Sequence, residues 1–132
     1  MRERLVRTRL GEDRSSLCSY LLMMMRNLSE ERMIAFFADA EGYVISEEVI
    51  AEGQEAHVVL TPRRVFSRAL NLDARRILLA HNHPSGCAHP SLLDIEHTRL
   101  LSRQASDLGL TIDDHFVVGA REVTSMKDRG LF

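Results

Sequence analysis

Cysteine is nearly missing from this chain of 132 residues. It has two, Cys18 and Cys87. That is too few for a disulfide scaffold and makes a reducing, cytoplasmic compartment the default expectation. Glycine (7) and proline (3) are sparse, which excludes a collagen-like repeat. No excess of one charge exists either: 17 Lys and Arg stand against 19 Asp and Glu, a net charge of −2. With a pI of about 6.3, the chain as a whole is not a polyanion binder. No apolar run approaches the roughly 18–20 residues of a membrane span. The longest, Leu17–Met25, is nine residues with Ser19 inside it. Met1-Arg-Glu-Arg-Leu5 is basic, but Gly11-Glu-Asp-Arg14 separates it from that run. No small-residue cleavage site follows, so no signal peptide is predicted.

What remains is 45% hydrophobic and 27% charged, an ordinary globular composition that excludes wholesale disorder and a coiled coil. The length allows one domain. Residues 1–14 read as a polar, loosely attached lead-in and 15–132 as the domain. Ser15–Arg26 reads as a helix capped by Ser15 or Ser16, with Leu17, Leu21, Leu22 and Met25 inward and the methionine triplet in the core. Met33–Ala38, Tyr43–Ile50 and Ala56–Leu60 read as a meander of three strands. Thr61-Pro62 opens a helix with Thr as cap, and Val65, Phe66, Ala69 and Leu70 form its buried stripe. Arg76–Ala80 is a buried-type strand ending at His81. A helix runs from about Ser91 to Leu108, its inward face stepping Asp94, Thr98, Leu101, Ala105, Leu108, with Gly109 as its cap. Leu110–Ile112, Phe116–Val118 and Val123–Ser125 close the chain as short strands. The pattern predicts an α/β (α+β) fold, a mixed sheet flanked by helices.

Chemistry concentrates in His81-Asn-His-Pro-Ser-Gly-Cys-Ala-His-Pro-Ser-Leu-Leu-Asp94. His81 ends a strand, so its side chain is expected at a sheet edge. His83, two residues on, points to the same side. Asp94 begins an otherwise apolar helix face, an expensive place for a carboxylate unless something pairs with it. A divalent metal held by two imidazoles supplies that pairing. Two His and one carboxylate leave a fourth position for water, the arrangement of a catalytic zinc site. Such a site needs a carboxylate base that is not a ligand. Glu47 and Glu48 are the candidates, on opposite faces of their strand, and the pattern does not choose between them. Ser91 fits two roles: N-cap in a capping box with Asp94, or oxyanion stabiliser.

His81-x-His83-Pro84, six residues, then Ser91-x-x-Asp94 resembles the JAMM signature of MPN+/JAB metalloproteases. The wording His-Asn-His-Pro-Ser-Gly, with Pro90-Ser91 and Thr98 behind it, is similar to the RadC branch. So are Thr61–Leu70, Asp114-His-Phe-Val-Val-Gly119, and Ser125 with Gly130-Leu131. The resemblance runs from about Ser29 to the end. It implies the JAB/MPN (cytidine-deaminase-like) architecture and one Zn²⁺ per chain on His81, His83 and Asp94. The family's upstream Glu precedes a Gly by five positions, which implies Glu48 as base. RadC proteins usually carry a helix-hairpin-helix domain as well, for which 132 residues leave no room. The loop also departs from the pattern at Gly86-Cys87-Ala88-His89, where an acidic residue commonly follows the Gly. Cys87 reads as an incidental loop residue.

The resemblance thus implies a zinc-dependent peptidase or isopeptidase with Glu48 and Ser91 in catalytic roles and a peptide or protein as substrate. The alternative is a metal-containing module in DNA transactions, after the DNA-repair label RadC proteins have carried. The pI and the lack of a long basic stripe argue against direct DNA binding; Arg63, Arg64 and Arg68 read as a solvated helix face. His57, His89 and His97 read as surface or core groups. His115, beside Asp113 and Asp114, reads as structural, and Asn82 as fixing the segment between the two ligands. The string His-Asn-His is not the signature of HNH nucleases, whose named residues are spread over a longer unit.

Overall fold

The computed structural model describes residues 9–53 and 61–132. Its elements are α1 (Arg14–Met25), β1 (Glu31–Ala38), β2 (Val44–Gly53), α2 (Pro62–Asn71), β3 (Arg76–Asn82), α3 (Leu92–Asp107), β4 (Thr111–Val118) and β5 (Val123–Ser125). The strand expected at Ala56–Leu60 lies outside the described residues. The sheet runs in the order β2-β1-β3-β4-β5. β3 and β4 are parallel and the other neighbours antiparallel. A tight turn cannot join a parallel pair, and α3 makes the crossover. The mixed sheet flanked by helices is the expected α/β (α+β) class.

Alternation sorts the strand residues onto two faces. Met33, Ala35 and Phe37 of β1 and Ile77 and Leu79 of β3 share a core with Val65, Phe66 and Ala69 of α2 and Leu101 and Ala105 of α3. Ile34 and Phe36, with Leu78 and Ala80, share the other core with Leu21 and Met25 of α1. Both faces of β1 and β3 are therefore covered, which is why these strands read as near-continuous apolar runs. Phe36 and Phe37 anchor one layer each and are fully buried. Truncating either to Ala would cost about 3–5 kcal/mol.

The departures from expectation have local causes. Arg9 and Leu10 belong to the fold: Arg9 bridges to Tyr43, and Leu10 is buried in the α1 layer. The α1 cap is Asp13, whose Oδ1 accepts from the Ser16 N–H at 3.1 Å, so the helix starts ahead of Ser15. Met25 is buried, whereas Met23 and Met24 are exposed; the stripe facing the sheet is set by Leu21 and Met25, four apart. Thr61 is the N-cap of α2 but makes no side-chain cap bond, and Leu70 is exposed. Leu108 is exposed because α3 ends at Asp107 and the chain turns through Gly109 at φ 73°, which hands the core position to Leu110. The strands expected at Leu110–Ile112 and Phe116–Val118 are one strand. Its ladder with β3 shifts register between Ile77–Ile112 and Leu78–Asp114, so Asp113 is the extra residue of a bulge. The bulge lets two acids sit inside a strand. Asp113 accepts from Arg76 Nε and Nη2 at 2.8 and 2.6 Å. Buried Asp114 accepts from the N–H groups of His115 and Lys127 and from Arg14.

Candidate metal centre

β3 is the middle strand, and His81 lies near its C-terminal end rather than at a sheet edge. It pairs with Met33 of β1 on one side and Val117 of β4 on the other, and it is buried. His83 follows just past the strand, where its N–H still bonds the Val118 carbonyl at 3.1 Å. Two-residue spacing keeps both rings on the α3 side, with Nε2 of His81 and Nε2 of His83 3.0 Å apart. Asp94, in the first turn of α3, brings Oδ2 to 3.2 Å from Nε2 of His83 and 3.3 Å from Nε2 of His81. Around a four-coordinate ion with bonds of about 2.0–2.1 Å, ligand atoms stand about 3.3 Å apart. Two imidazoles and a carboxylate at this spacing fit such an ion.

Glu31, the first residue of β1, completes the cluster. It is two residues before Met33, the register partner of His81, and so lies on the same face. It is buried. Ligand atoms of Glu31, His81 and His83 all lie within 4.8 Å of one another, a group that could hold a metal ion. The sequence reading started this strand at Met33 and missed Glu31. The signal was available: an acid at the head of a buried strand raises the same question as Asp94 at the head of an apolar helix face.

The surroundings fix these groups. His83 Nδ1 stands 3.0 Å from the Cys87 carbonyl oxygen, which can only accept. Nδ1 therefore carries the proton and Nε2 turns its lone pair to the cluster. The loop carrying Cys87 is held against the β4–β5 turn, where Ala120 N–H bonds Gly86 O at 2.9 Å. A Cβ on Gly119 would meet Gly86 O at 2.7 Å, so the close approach requires glycine there. Ser91 caps α3: its Oγ accepts from the Asp94 N–H at 3.0 Å, and Oδ2 of Asp94 accepts from the Ser91 N–H at 2.8 Å. Burial works against the Asp94 charge, yet hydrogen bonds from His81 and His83 hold its carboxyl well below the usual carboxylate range. The bond to Asp94 raises the pKa of His83 against the effect of burial.

The sequence profile of the RadC-like JAB domain matches residues 12–131. The chain belongs to the RadC-like JAB domain family. A UPF0758 protein of Vibrio vulnificus is 42% identical over 111 residues, 84% of this chain and 50% of that protein. A UPF0758 protein of Rhodobacter capsulatus is 38% identical over 116 residues, 88% of this chain and 54% of the relative. One of Cupriavidus pinatubonensis is 36% identical over 112 residues, 85% and 49%. The chain spans about half the length of the curated relatives it matches.

Within this RadC-like JAB domain, Glu48 is elsewhere. Its carboxylate accepts from Arg68 Nε and Nη2, both at 2.8 Å, and from Ser46 Oγ at 2.9 Å. β1 stands between β2 and β3, which sets β2 about 10 Å from the strand of His81. Glu48 is also level with Ala35 and Leu79, two residues short of His81. Glu47 accepts from the Tyr20 hydroxyl at 2.6 Å. The structure brings together His81, His83, Asp94 and Ser91, adds Glu31, and leaves Glu48 with Arg68. His115, expected to bond across the sheet, lies against His81 with Nε2 2.7 Å from Nδ1 of His81. His89 faces Arg129, His97 is exposed, and His57 lies outside the described residues. No helix among the described residues is long and apolar enough to cross a membrane.

Proposed function

We propose that this domain is a zinc-dependent hydrolase of peptide or isopeptide bonds, with His81, His83 and Asp94 as metal ligands and Glu31 as general base. One observation carries the reading: a buried carboxylate stands within 4.8 Å of two imidazoles whose Nε2 atoms already lie 3.2 and 3.3 Å from Asp94 Oδ2. Zinc held there would bring the pKa of a water ligand to about 7 and polarise a carbonyl. The chain supplies the rest. Asp94 and the two imidazoles form the tighter triangle and act as ligands; Glu31 stands off from it, which suits a base that takes a proton from the attacking water and returns it to the leaving amine. Ser91 Oγ accepts from the Asp94 N–H and keeps its own proton free to donate to a developing oxyanion. Its place at the N-terminus of α3 favours negative charge there.

The test is metal content by elemental mass spectrometry on untagged protein, followed by a screen of peptides and isopeptide-linked conjugates. Wild type should hold about one zinc per chain. Glu31→Gln should keep the zinc and lose turnover of any substrate found, and His83→Ala should lose the zinc. A wild type that takes no zinc at neutral pH, or a Glu31→Gln variant that cleaves as wild type does, would sink the reading.

A further inference from the structure

The proton on His83 is placed by a backbone carbonyl, but the partner of His81 Nδ1 is a second histidine, which can donate or accept. Three buried side chains continue from it. His115 Nε2 is 2.7 Å from His81 Nδ1. His115 Nδ1 is 2.7 Å from Thr98 Oγ1. Thr98 Oγ1 is 3.9 Å from Met126 Sδ. Thr98 and Met126 are fully buried, and His81 and His115 are nearly so. The line can run in two directions. In one, the Thr98 hydroxyl donates to His115, His115 Nε2 donates to His81 Nδ1, and His81 Nε2–H points at Asp94. That leaves no lone pair for a metal. In the other, His81 Nδ1 donates to His115 Nε2, His115 Nδ1 donates to Thr98 Oγ1, and the hydroxyl turns to the weak sulfur acceptor. Only this direction frees His81 Nε2.

We propose that Thr98 and His115 are positioning residues that select the metal-binding tautomer of His81 by accepting, in series, the proton its Nδ1 must carry. The inference rests on the metal site argued above. Ligand imidazoles usually hand that second N–H to a carboxylate, carbonyl or water; here a neutral imidazole takes it, and a hydroxyl takes the next. Thr98 is the decisive member. A Val in its place keeps the shape but leaves the His115 Nδ1–H without an acceptor in the metal-binding direction, whereas Ser keeps the oxygen.

The experiment is zinc affinity by chelator competition for wild type, Thr98→Val and Thr98→Ser, with circular dichroism and melting of each chelator-stripped protein as the folding control. Nitrogen-15 spectra of the histidines in the zinc-loaded wild type go beside it. We expect Thr98→Val to bind zinc about 10–100-fold more weakly, Thr98→Ser to stay near wild type, and His81 to be protonated on Nδ1 in the loaded protein. Unchanged affinity in a folded Thr98→Val protein, or His81 bound to zinc through Nδ1, overturns the inference while leaving the metal site intact. If Thr98→Val does not fold, the nitrogen-15 result on wild type decides alone. A wild type that binds no zinc overturns both this inference and the site it rests on.

Discussion

Asn82 grips the backbone on both sides of Glu31. Its Oδ1 accepts from the Arg32 N–H at 2.8 Å, and its Nδ2 donates to the Glu30 carbonyl at 3.0 Å. Asn82 is itself buried between the two ligand histidines in sequence, so one residue ties the base's strand to the ligands' strand. Asn82→Ala strands a buried N–H and a buried carbonyl. Each such group costs about 1–3 kcal/mol, so denaturant unfolding of Asn82→Ala should show a loss of at least about 1 kcal/mol. Asn82→Asp keeps the acceptor for Arg32 but loses the donor to Glu30. It is expected to be destabilised, since a carboxylate then faces the Glu30 carbonyl.

Glu48 offers the opposite contrast. Its two bonds to Arg68 join a partly exposed pair, 21% and 41% exposed, and a pair of that kind is worth about 0–1 kcal/mol. Glu48→Gln is therefore expected to unfold within about 1 kcal/mol of wild type and to bind zinc with unchanged stoichiometry. Loss of zinc in Glu48→Gln, by elemental analysis, would mean that β2 reaches the metal after all.

Much of this was legible in the residues. The ligand set stood in one local string because a strand, a loop and a helix N-terminus deliver it in sequence order, with spacings fixed by periods of two and 3.6. Glu31 was not legible in that way. Its place beside His81 depends on β1 pairing antiparallel with β3, a contact between segments about 50 positions apart that local pattern does not encode. The direct partner of His81 was hidden for the same reason: β4 brings His115 alongside through a parallel pairing after a helical crossover. Element ends were misread where a side chain took over a backbone task, as Asp13 did at α1, or where a bulge absorbed an extra residue, as at Asp113.

Ser91 carries a prediction for stability and metal together. Its side chain accepts from the Asp94 N–H while Asp94 answers at the Ser91 N–H, so the cap and the ligand are one structure. Ser91→Ala should cost about 1 kcal/mol. It should also weaken zinc binding, because Asp94 loses the tether that orients its carboxylate. Ser91→Asp restores a capping oxygen but sets a second negative charge beside Asp94. Thermal melts should show stability recovered in part, and chelator competition should show whether affinity follows the cap or the charge.

The two cysteines differ in surroundings enough to be told apart by alkylation. Cys87 is exposed on the loop whose carbonyl holds His83. Cys18 lies on α1, part buried; burial pushes its thiol pKa up, Arg14 pulls it down, and Asp114 and Asp128 add to the rise. The thiolate is the reactive form, so a raised pKa and restricted access act in the same direction. At pH 7 a maleimide should label Cys87 first, with Cys18 following slowly and gaining rate as the pH rises. Peptide mapping of a partial reaction reads the order directly. Labelling of Cys18 at the rate of Cys87 in folded protein would mean that α1 opens from the sheet, and with it the core layer built on Leu21 and Met25.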